Sequence, residues 1–412
     1  MKKVLATGAA LMMTAAVAST AAAEVNFKGD GRARAFYNSG YDFGNTLQPD
    51  GTYDVRNSFG WSSRVRLQFE GKAAGGAKAV ARIRLIDTQW SGPEDKSLDK
   101  NIWADKAYIF VPFGETCSAE MGYTQLTVSR MTLDDVDIAG GKFAYNAGGL
   151  TVMPFFAWGR DGDYAQPADS VGVPNANWVD DNDAYAVGLY VAGEAADWTI
   201  GAAAWAVNDD NVDFVDSATG ELLEMNDDGG WTGTIFVDGK IGAMTAAAEL
   251  AFADADYLNS MDDGMGGFVE LGFAADALDA HVTFAYTADG YVPDGDFGDI
   301  SGWLMFGGGS AVNVVDFNGG DDIMAIGGHV NFTASDALSF FGNLVYATFD
   351  ANDNGGSGLD NVWEVSGGLG YTISEGCTFD FVLGYLSPSL DEQVHGNDDA
   401  AFGAAGTLNV KF

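Results

Sequence analysis

Apolar and polar side chains alternate with a period of two residues in many short segments of this 412-residue chain. Successive side chains of a β-strand point to opposite faces, so this alternation predicts strands with one apolar and one polar face. Most segments have the ten or so residues that a tilted strand needs to cross a bilayer. Eighteen segments show the pattern: 25–37, 59–71, 76–87, 103–112, 117–123, 142–148, 150–158, 184–193, 196–206, 231–240, 243–253, 266–274, 278–288, 322–333, 338–349, 361–373, 377–387 and 402–412.

The connections between these segments alternate in length. Tight turns such as 73–75, 114–116 and 374–376 are separated by long polar links at 38–58, 88–102, 124–141, 159–183, 207–230, 254–265, 289–321, 350–360 and 388–400. Tight turns at one rim and long links at the other are typical of transmembrane barrels, and only a closed barrel leaves no open sheet edge in lipid. The sequence therefore predicts an all-β fold, a transmembrane antiparallel β-barrel of 16–18 strands, with eighteen counted.

The N-terminal residues have the features of an export signal. Met1–Lys3 is basic, residues 4–17 are apolar, and Ala21–Ala23 offers a small-residue cleavage site. We expect residues 1–23 to be removed and 24–412 to form a single barrel domain. A retained membrane anchor is the alternative, although the apolar stretch is short for a membrane span.

The chain is strongly acidic. Its net charge is −39, and removal of Lys2 and Lys3 leaves 18 basic against 59 acidic residues, a net charge of −41. Such a charge excludes nucleic acid as a partner. A hydrophobic content of 47% argues against disorder. Cys117 and Cys377 fall on segments far apart in the predicted sheet, so we expect two unpaired thiols.

The basic residues are concentrated near the N-terminus. All nine arginines lie between Arg32 and Arg160, and six of them form pairs two residues apart on the first three strands. Spacing of two places each pair on one face, and the opposite faces are apolar. Because arginine facing lipid would cost several kcal/mol, these side chains must point into the barrel. We predict a basic pore wall of Arg32, Arg34, Arg64, Arg66, Arg82 and Arg84.

An acidic link is the predicted counter-charge. The link 124–141 carries Asp134, Asp135 and Asp137, together with apolar residues that could pack inward: Leu126, Val128, Met131 and Leu133. Folded into the lumen, this candidate constriction loop would set acids opposite the arginines. The resulting water-filled waist would have a transverse field that favours small polar solutes. A solvated surface loop is the alternative.

The chain resembles general diffusion porins of the Rhodobacter type, from the outer membrane of Gram-negative alphaproteobacteria. The similarity lies in the opening Glu24–Arg34, the second strand Trp61–Gly71, the acidic third loop and the terminal Val410–Phe412. It implies a homotrimer in which the third loop narrows each pore and its acids, here Asp134, Asp135 and Asp137, face the strand arginines. A last strand that ends in Phe, here Phe412, resembles the assembly signal that the barrel-assembly machinery recognises. The resemblance implies sixteen strands, whereas the alternation gives eighteen.

We therefore predict a porin and not an enzyme: a water-filled channel for passive diffusion of ions and small hydrophilic solutes, with weak cation preference. Outer-membrane lipid and lipopolysaccharide are the expected surroundings. A substrate-selective eighteen-stranded channel, for example one specific for sugars, is the first alternative. An outer-membrane hydrolase is the second, although no Ser lies in a Gly-x-Ser-x-Gly motif. His281 and His329 share the phase of polar neighbours, which predicts that they face the lumen.

The long links are rich in aspartate. Clustered carboxylates suit Ca²⁺ or Mg²⁺, and Asp350, Asn352 and Asn354 match the start of a calcium loop whose twelfth position is Asn361 rather than Glu. We expect no required cofactor, with a weak metal site at these three residues. An acidic solvated rim is the alternative. A calcium-loaded β-helix would show a nonapeptide glycine repeat, which the Gly-Gly pairs here do not form.

Overall fold

The computed structural model describes residues 24–43, 46–47, 53–54, 56–90, 102–160, 184–209, 214–215, 222–223, 229–258, 260, 262–293, 297–353, 355–390 and 398–412. The predicted signal at 1–23 lies outside these residues.

Eighteen antiparallel strands form one closed sheet. Each strand pairs with its neighbours in the chain, and β1 closes the barrel by pairing with both β2 and β18, so that Ala33 lies between Ser63 and Leu408. The strands are β1 Glu24–Ser39, β2 Asn57–Lys72, β3 Lys78–Trp90, β4 Trp103–Phe113, β5 Cys117–Leu126, β6 Val136–Ala147, β7 Leu150–Arg160, β8 Ala184–Ala195, β9 Trp198–Asp209, β10 Gly230–Ile241, β11 Met244–Ala253, β12 Gly264–Ala275, β13 Leu278–Ala288, β14 Asp321–Ser335, β15 Leu338–Ala351, β16 Leu359–Ser374, β17 Cys377–Leu390 and β18 Ala401–Lys411.

Smaller elements lie in the long links. Two ribbons of two-residue strands pair Thr46–Leu47 with Tyr53–Asp54 and Phe214–Val215 with Leu222–Leu223. Two single-turn helices follow, α1 Ala255–Leu258 and α2 Phe297–Ile300. Among the residues described, no helix is long and apolar enough to cross a membrane.

The predicted barrel and its eighteen strands are confirmed, because every predicted segment coincides with one strand. The predicted bounds of the link 124–141 are wrong. Strand β5 continues to Leu126 and β6 begins at Val136, so the link comprises residues 127–135 and Asp137 belongs to β6. Gly140, which the prediction placed in the link, is a strand residue: a Cβ at Gly140 would collide with the carbonyl of Phe156 on β7, so only glycine fits this close approach.

Opposite faces of the sheet differ in polarity, as the alternation predicts. On the outer face, large apolar side chains such as Ile235, Leu271 and Leu344 are more than half exposed. Their inward neighbours include Thr234 and Asn343, which are buried. An exposed apolar band around a polar interior is the arrangement that a bilayer requires. The short turns define one rim of the barrel, the short-turn rim, and the long links define the other, the long-link rim.

Within the described residues, two segments fold from the long-link rim into the barrel. The first is the link 127–135. The second comprises residues 297–317, which we call the inserted segment, and it buries Trp303, Met305, Phe306 and Val312 completely. Its place inside the barrel was not predicted, because the link 289–321 was assigned to the rim as a polar loop. The apolar side chains of this link explain the difference, since exposure to water would cost each of them about 1.5–3 kcal/mol.

Other predictions from single residues have mixed outcomes. Cys117 and Cys377 are both free thiols, as expected. Trp61, Trp158 and Trp231 are exposed on the outer face, as interfacial aromatics would be. Trp205 differs from these three, because its side chain is 5% exposed and packs inside the barrel against Phe155 of β7.

Candidate pore lining

The predicted arginines lie together on the inner face of β1–β3. Arg32 is the cross-strand partner of Arg64, and Arg66 is the partner of Arg84. The Arg34 Nε donates to the hydroxyl of Thr407 on β18 at 3.3 Å. The structure therefore brings all six arginines into one patch, which we call the basic wall. Like charges at this density require counter-charge and water.

Part of that counter-charge comes from β1 itself. The Asp30 carboxylate accepts hydrogen bonds from the Arg66 Nε at 3.0 and 3.1 Å, and it lies 3.8 Å from an Arg64 nitrogen. Asp30 was not predicted as a pore residue. Its distance of two residues from Arg32 places it on the arginine face, so the period-two pattern contained the signal.

A second acid, Asp105 of β4, contacts the part of the basic wall that β3 contributes. Its two carboxylate oxygens accept from the Arg82 Nε at 2.9 Å and the Arg84 Nε at 2.5 Å, and its side chain is 2% exposed. Strict alternation would place Asp105 on the lipid face. The pairing of β3 with β4 shifts register between Arg82 and Ile83, so that Asp105 is the extra residue of a bulge and its side chain turns inward.

The link 127–135 crosses the lumen away from the basic wall and binds the strands opposite. The buried Glu249 of β11 accepts from the Ser129 and Thr132 hydroxyls at 2.5 Å and from the Met131 N–H at 3.0 Å. The Thr234 hydroxyl of β10 donates to the same carboxylate at 2.8 Å. A carboxylate with four donors is well satisfied although it is withdrawn from water.

Two further interactions hold this link. The Arg130 guanidinium donates to Glu270 of β12 and to Asp238 of β10, both at 2.9 Å. Leu126 and Val128 are buried against Trp205 and its neighbours on β7 and β9. The apolar residues thus pack inward as predicted. The link is anchored by acidic side chains of the barrel wall, which accept hydrogen bonds from donors of the link.

The three predicted acids have different positions. Asp135 has a positive φ of 56° and its N–H donates to the Thr127 hydroxyl at 3.0 Å. Asp137 lies on β6 in the outward phase of Ala139, opposite Gln125 of β5. Both interact electrostatically with Lys106 of β4, the cross-strand partner of Arg82. Asp134 lies in the link itself. The role of these acids in a constriction stays a prediction.

The inserted segment is anchored by Glu364 of β16. This fully buried carboxylate accepts the backbone N–H groups of Leu304, Met305 and Phe306 at 3.0–3.1 Å. The wall is shaped for the segment by glycines: a Cβ at Gly384 would lie 2.5 Å from the Met305 sulfur, and one at Gly403 would lie 2.6 Å from Val312. Glu364 lies among glycines and apolar residues in the sequence, so no charge pattern indicated this role.

The two lumen histidines stack on each other beside the inserted segment. The rings of His281 and His329 have centroids 4.8 Å apart, and the prediction that both face inward is confirmed. His281 Nε2 lies 3.0 Å from the Ser301 carbonyl, to which it donates. His329 Nδ1 donates to Asn343 at 2.6 Å. Asn343 donates to Ser366 at 3.0 Å, and Ser366 donates to Glu364.

The lumen has walls of opposite charge. Arginines line β1–β3, while the acids Asp238, Glu249, Glu270 and Asp279 lie on β10–β13, about half the circumference away. The predicted transverse field therefore has a source in the barrel walls, in addition to any contribution of the link 127–135.

Two of the three predicted metal residues lie among the described residues, and the metal site stays a prediction. Asp350 lies at the end of β15 opposite Asp322, and Asn352 donates through Nδ2 to Gly319 and Asp322, both at 3.2 Å. Asn354 lies outside the described residues. In the part of the chain that the structure describes, no group of three or more His, Cys, Asp or Glu side chains converges to hold a metal ion.

Comparison with known proteins gives matches of structure alone. No protein-family model matches the chain, and no curated protein matches it. The fold is similar to Pseudomonas aeruginosa OccD3 (OpdP), with 10% identity over 94% of this chain and 91% of that chain and a TM-score of 0.57. The outer membrane protein opdK of the same organism is 10% identical over 94% of this chain and 98% of that chain, with a TM-score of 0.57. Acinetobacter baumannii OccAB3 is 12% identical over 94% of this chain and 100% of that chain, with a TM-score of 0.50. At this identity, the similarity shows a shared barrel fold.

Proposed function

We propose that this protein is an outer-membrane porin through which ions and small hydrophilic solutes diffuse passively. The observation that carries the proposal is the closed eighteen-stranded barrel with an apolar outer band and charged inner walls. Such a barrel is stable only where lipid covers its outside and water fills its inside. The fold shared with outer-membrane proteins such as opdK supports the same location.

Two features of the lumen support sorting by size and charge. The link 127–135 and the inserted segment occupy part of the cross-section, so solutes pass beside them. The basic wall on β1–β3 faces acids on β10–β13, and a transverse field orders water and admits polar molecules more readily than apolar ones.

Reconstitution into planar bilayers tests the proposal. We expect stepwise conductance increases, and a reversal potential under a salt gradient that shows weak cation preference because acidic residues outnumber basic ones. Liposomes should swell at rates that fall smoothly with the size of unrelated uncharged solutes. Purified protein that gives no conductance, or that stays dispersed in buffer without detergent, would contradict the proposal.

A substrate-selective channel is the second candidate. It is favoured by the inserted segment, which narrows the lumen beyond what the link 127–135 achieves. Saturable transport and current block by one solute class would establish it, whereas unselective linear flux supports the general porin.

Assembly follows from the resemblance to Rhodobacter-type porins, and we propose a homotrimer whose terminal Phe412 is read during barrel assembly. An unboiled gel tests it, because a folded trimer migrates differently from the boiled chain. Monomer migration at all detergent concentrations would contradict the trimer and leave the channel function intact.

We also propose that the acidic links bind Ca²⁺ or Mg²⁺, and that these ions bridge the links to lipopolysaccharide phosphates. A melting temperature that changes when a chelator is added would be the test.

A further inference from the structure

A cavity of about 250 Å³ lies inside the barrel between the inserted segment and strands β14–β17. Gly302–Leu304 of the inserted segment bounds it on one side. The barrel wall contributes His329, Asn331, Phe341 and Asp380. Neither the basic wall nor the link 127–135 contributes to it, so the cavity is separate from the lining described above.

The cavity continues toward the short-turn rim. A second cavity of about 370 Å³ shares Asn331 and extends along Asp279 and Thr333 to the turn between β12 and β13. A solute that enters from this rim therefore meets Thr333 and Asn331 before it reaches Gly302–Leu304. The inserted segment is the far wall of this path.

Among the described residues, two polar side chains of the cavity have no hydrogen-bond partner and a third has one. Within the described part of the chain, no hydrogen bond engages the Asn331 amide or the Ser339 hydroxyl. Asp380 accepts one hydrogen bond, from Asn409 Nδ2 at 2.8 Å, and it forms no ion pair with the described residues. Partly buried polar groups without partners are those that a bound ligand can satisfy.

The chemistry of these groups selects among ligands. The amide and the hydroxyl each both donate and accept, and the carboxylate accepts, which matches a ring of hydroxyl groups that also donate and accept. An anion would be repelled by Asp380. An ammonium group, which only donates, would leave the Asn331 N–H groups without acceptors. The Phe341 ring adds an apolar surface for the C–H face of a small ring.

We infer that this cavity is a binding subsite for a neutral polyhydroxylated solute of monosaccharide size. The inference rests on the proposed channel function, because it assumes that solutes enter the lumen. Such a subsite would bind weakly, since a transported solute must also leave. A dissociation constant of about a millimolar is the expected scale.

Equilibrium binding of radiolabelled D-glucose to the full-length protein in detergent measures the subsite without conduction. We expect saturable binding that Asp380→Asn weakens about tenfold and Asn331→Ala weakens several-fold. Asp336→Asn is the matched control, because it makes the same change of charge on the exposed short turn between β14 and β15, outside both cavities.

Glucose should also block single-channel current, and the variants that weaken binding should weaken this block in the same order. Competition distinguishes the ligand classes: methyl glucoside should displace labelled glucose, while L-arginine and gluconate should not. Equal binding by wild type and Asp380→Asn, or stronger displacement by arginine or gluconate, would overturn the inference. Normal conductance without glucose binding would refute the subsite alone. Absent conductance would refute the channel, and the binding assay would still report on the cavity.

Discussion

The backbone N–H of Met131 donates a hydrogen bond to Glu249 Oε2 at 3.0 Å, and this contact joins the link 127–135 to β11 across the lumen. Met131 is fully buried at this point. Since the Ser129 and Thr132 hydroxyls bind the same carboxylate, one side chain of the barrel wall fixes the whole turn of the link.

Replacement of Glu249 by Ala should therefore release the link. The donors of Ser129, Met131 and Thr132 lose their acceptor, which should lower stability by about 2–3 kcal/mol. Single-channel recordings should show larger and noisier conductance. Glu375→Ala, on an exposed short turn, is the matched control. Unchanged conductance and unchanged heat-dependent gel migration would mean that the link holds its position without Glu249.

A second prediction concerns ion preference at the basic wall. Asp105→Asn removes the negative charge shared by Arg82 and Arg84, so the wall becomes more positive. The reversal potential under a salt gradient should shift toward anions. Asp336→Asn, at the exposed turn between β14 and β15, removes the same charge outside the lumen and should leave the potential unchanged. A shift toward cations at Asp105→Asn would contradict the placement of this carboxylate beneath the arginines.

Sequence analysis predicted the barrel because the period-two pattern is a direct consequence of strand geometry. The phase of Arg32 or Arg64 follows from its apolar neighbours, and each strand supplies that information locally. Asp105 was missed because the bulge that turns it inward depends on the register between β3 and β4. One extra residue in a strand reverses the inward and outward phase of the side chains that follow it. Alternation within a single strand does not reveal the position of such a residue, because that position depends on the pairing with the neighbouring strand.

The loops were harder to predict for a different reason. The apolar residues of the link 127–135 indicated inward packing, which the structure confirms. Its partner Glu249, however, is more than a hundred residues away and lies in an ordinary alternating strand. The inserted segment shows the same limit: Glu364 is recognisable as an anchor only when the N–H groups of Leu304–Phe306 are placed beside it.

The three predicted acids Asp134, Asp135 and Asp137 can be tested separately. Asp134→Asn with Asp135→Asn removes two charges in the link, and we expect a change in ion preference or conductance. Asp137→Asn removes a charge from the outward phase of β6 and should have a smaller effect, through its interaction with Lys106 alone. Planar-bilayer recordings on both variants decide the matter. An effect confined to Asp137→Asn would mean that the pore-facing acid is this one, contrary to its position in the sheet.

A pH-dependent effect is expected at Asp289, at the long-link rim. Burial raises the pKa of Asp289 above its usual value, and the charges of Asp322, Asp262 and Asp353 raise the pKa further. The folded state then binds the proton more tightly than the unfolded state does. Stability from this group is greatest at acid pH and falls as pH rises from the usual aspartate pKa through the raised one.

Asp289→Asn should consequently stabilise the protein near neutral pH, by under about 1 kcal/mol for so accessible a group. Asn tolerates the positive φ of 53° and keeps the N–H that donates to Asp322. Thermal melts should show a benefit at pH 7 that disappears below the usual aspartate pKa. A benefit of equal size at both pH values would point to packing instead of charge.

Glu364 provides the sharpest test of the inserted segment. Glu364→Ala removes the acceptor of the Leu304, Met305 and Phe306 N–H groups, and the freed segment should leave the lumen and raise conductance. A cross-link can make this reversible, because a Cβ at Gly384 would lie 2.6 Å from Met305 Cγ, so the two Cβ atoms come within reach of a disulfide. We expect Met305→Cys with Gly384→Cys, in a background where Cys117 and Cys377 are replaced by Ser, to hold the segment in place when oxidised.

With Glu364→Ala in that background, oxidised protein should conduct like wild type and reduced protein should conduct more. The same reductant added to the cross-linked protein with Glu364 intact should have little effect, because the carboxylate still anchors the backbone. High conductance in both redox states would show that the disulfide does not retain the segment, and low conductance in both would show that its apolar side chains suffice to hold it. Only a redox-dependent difference limited to Glu364→Ala assigns the anchoring to this carboxylate.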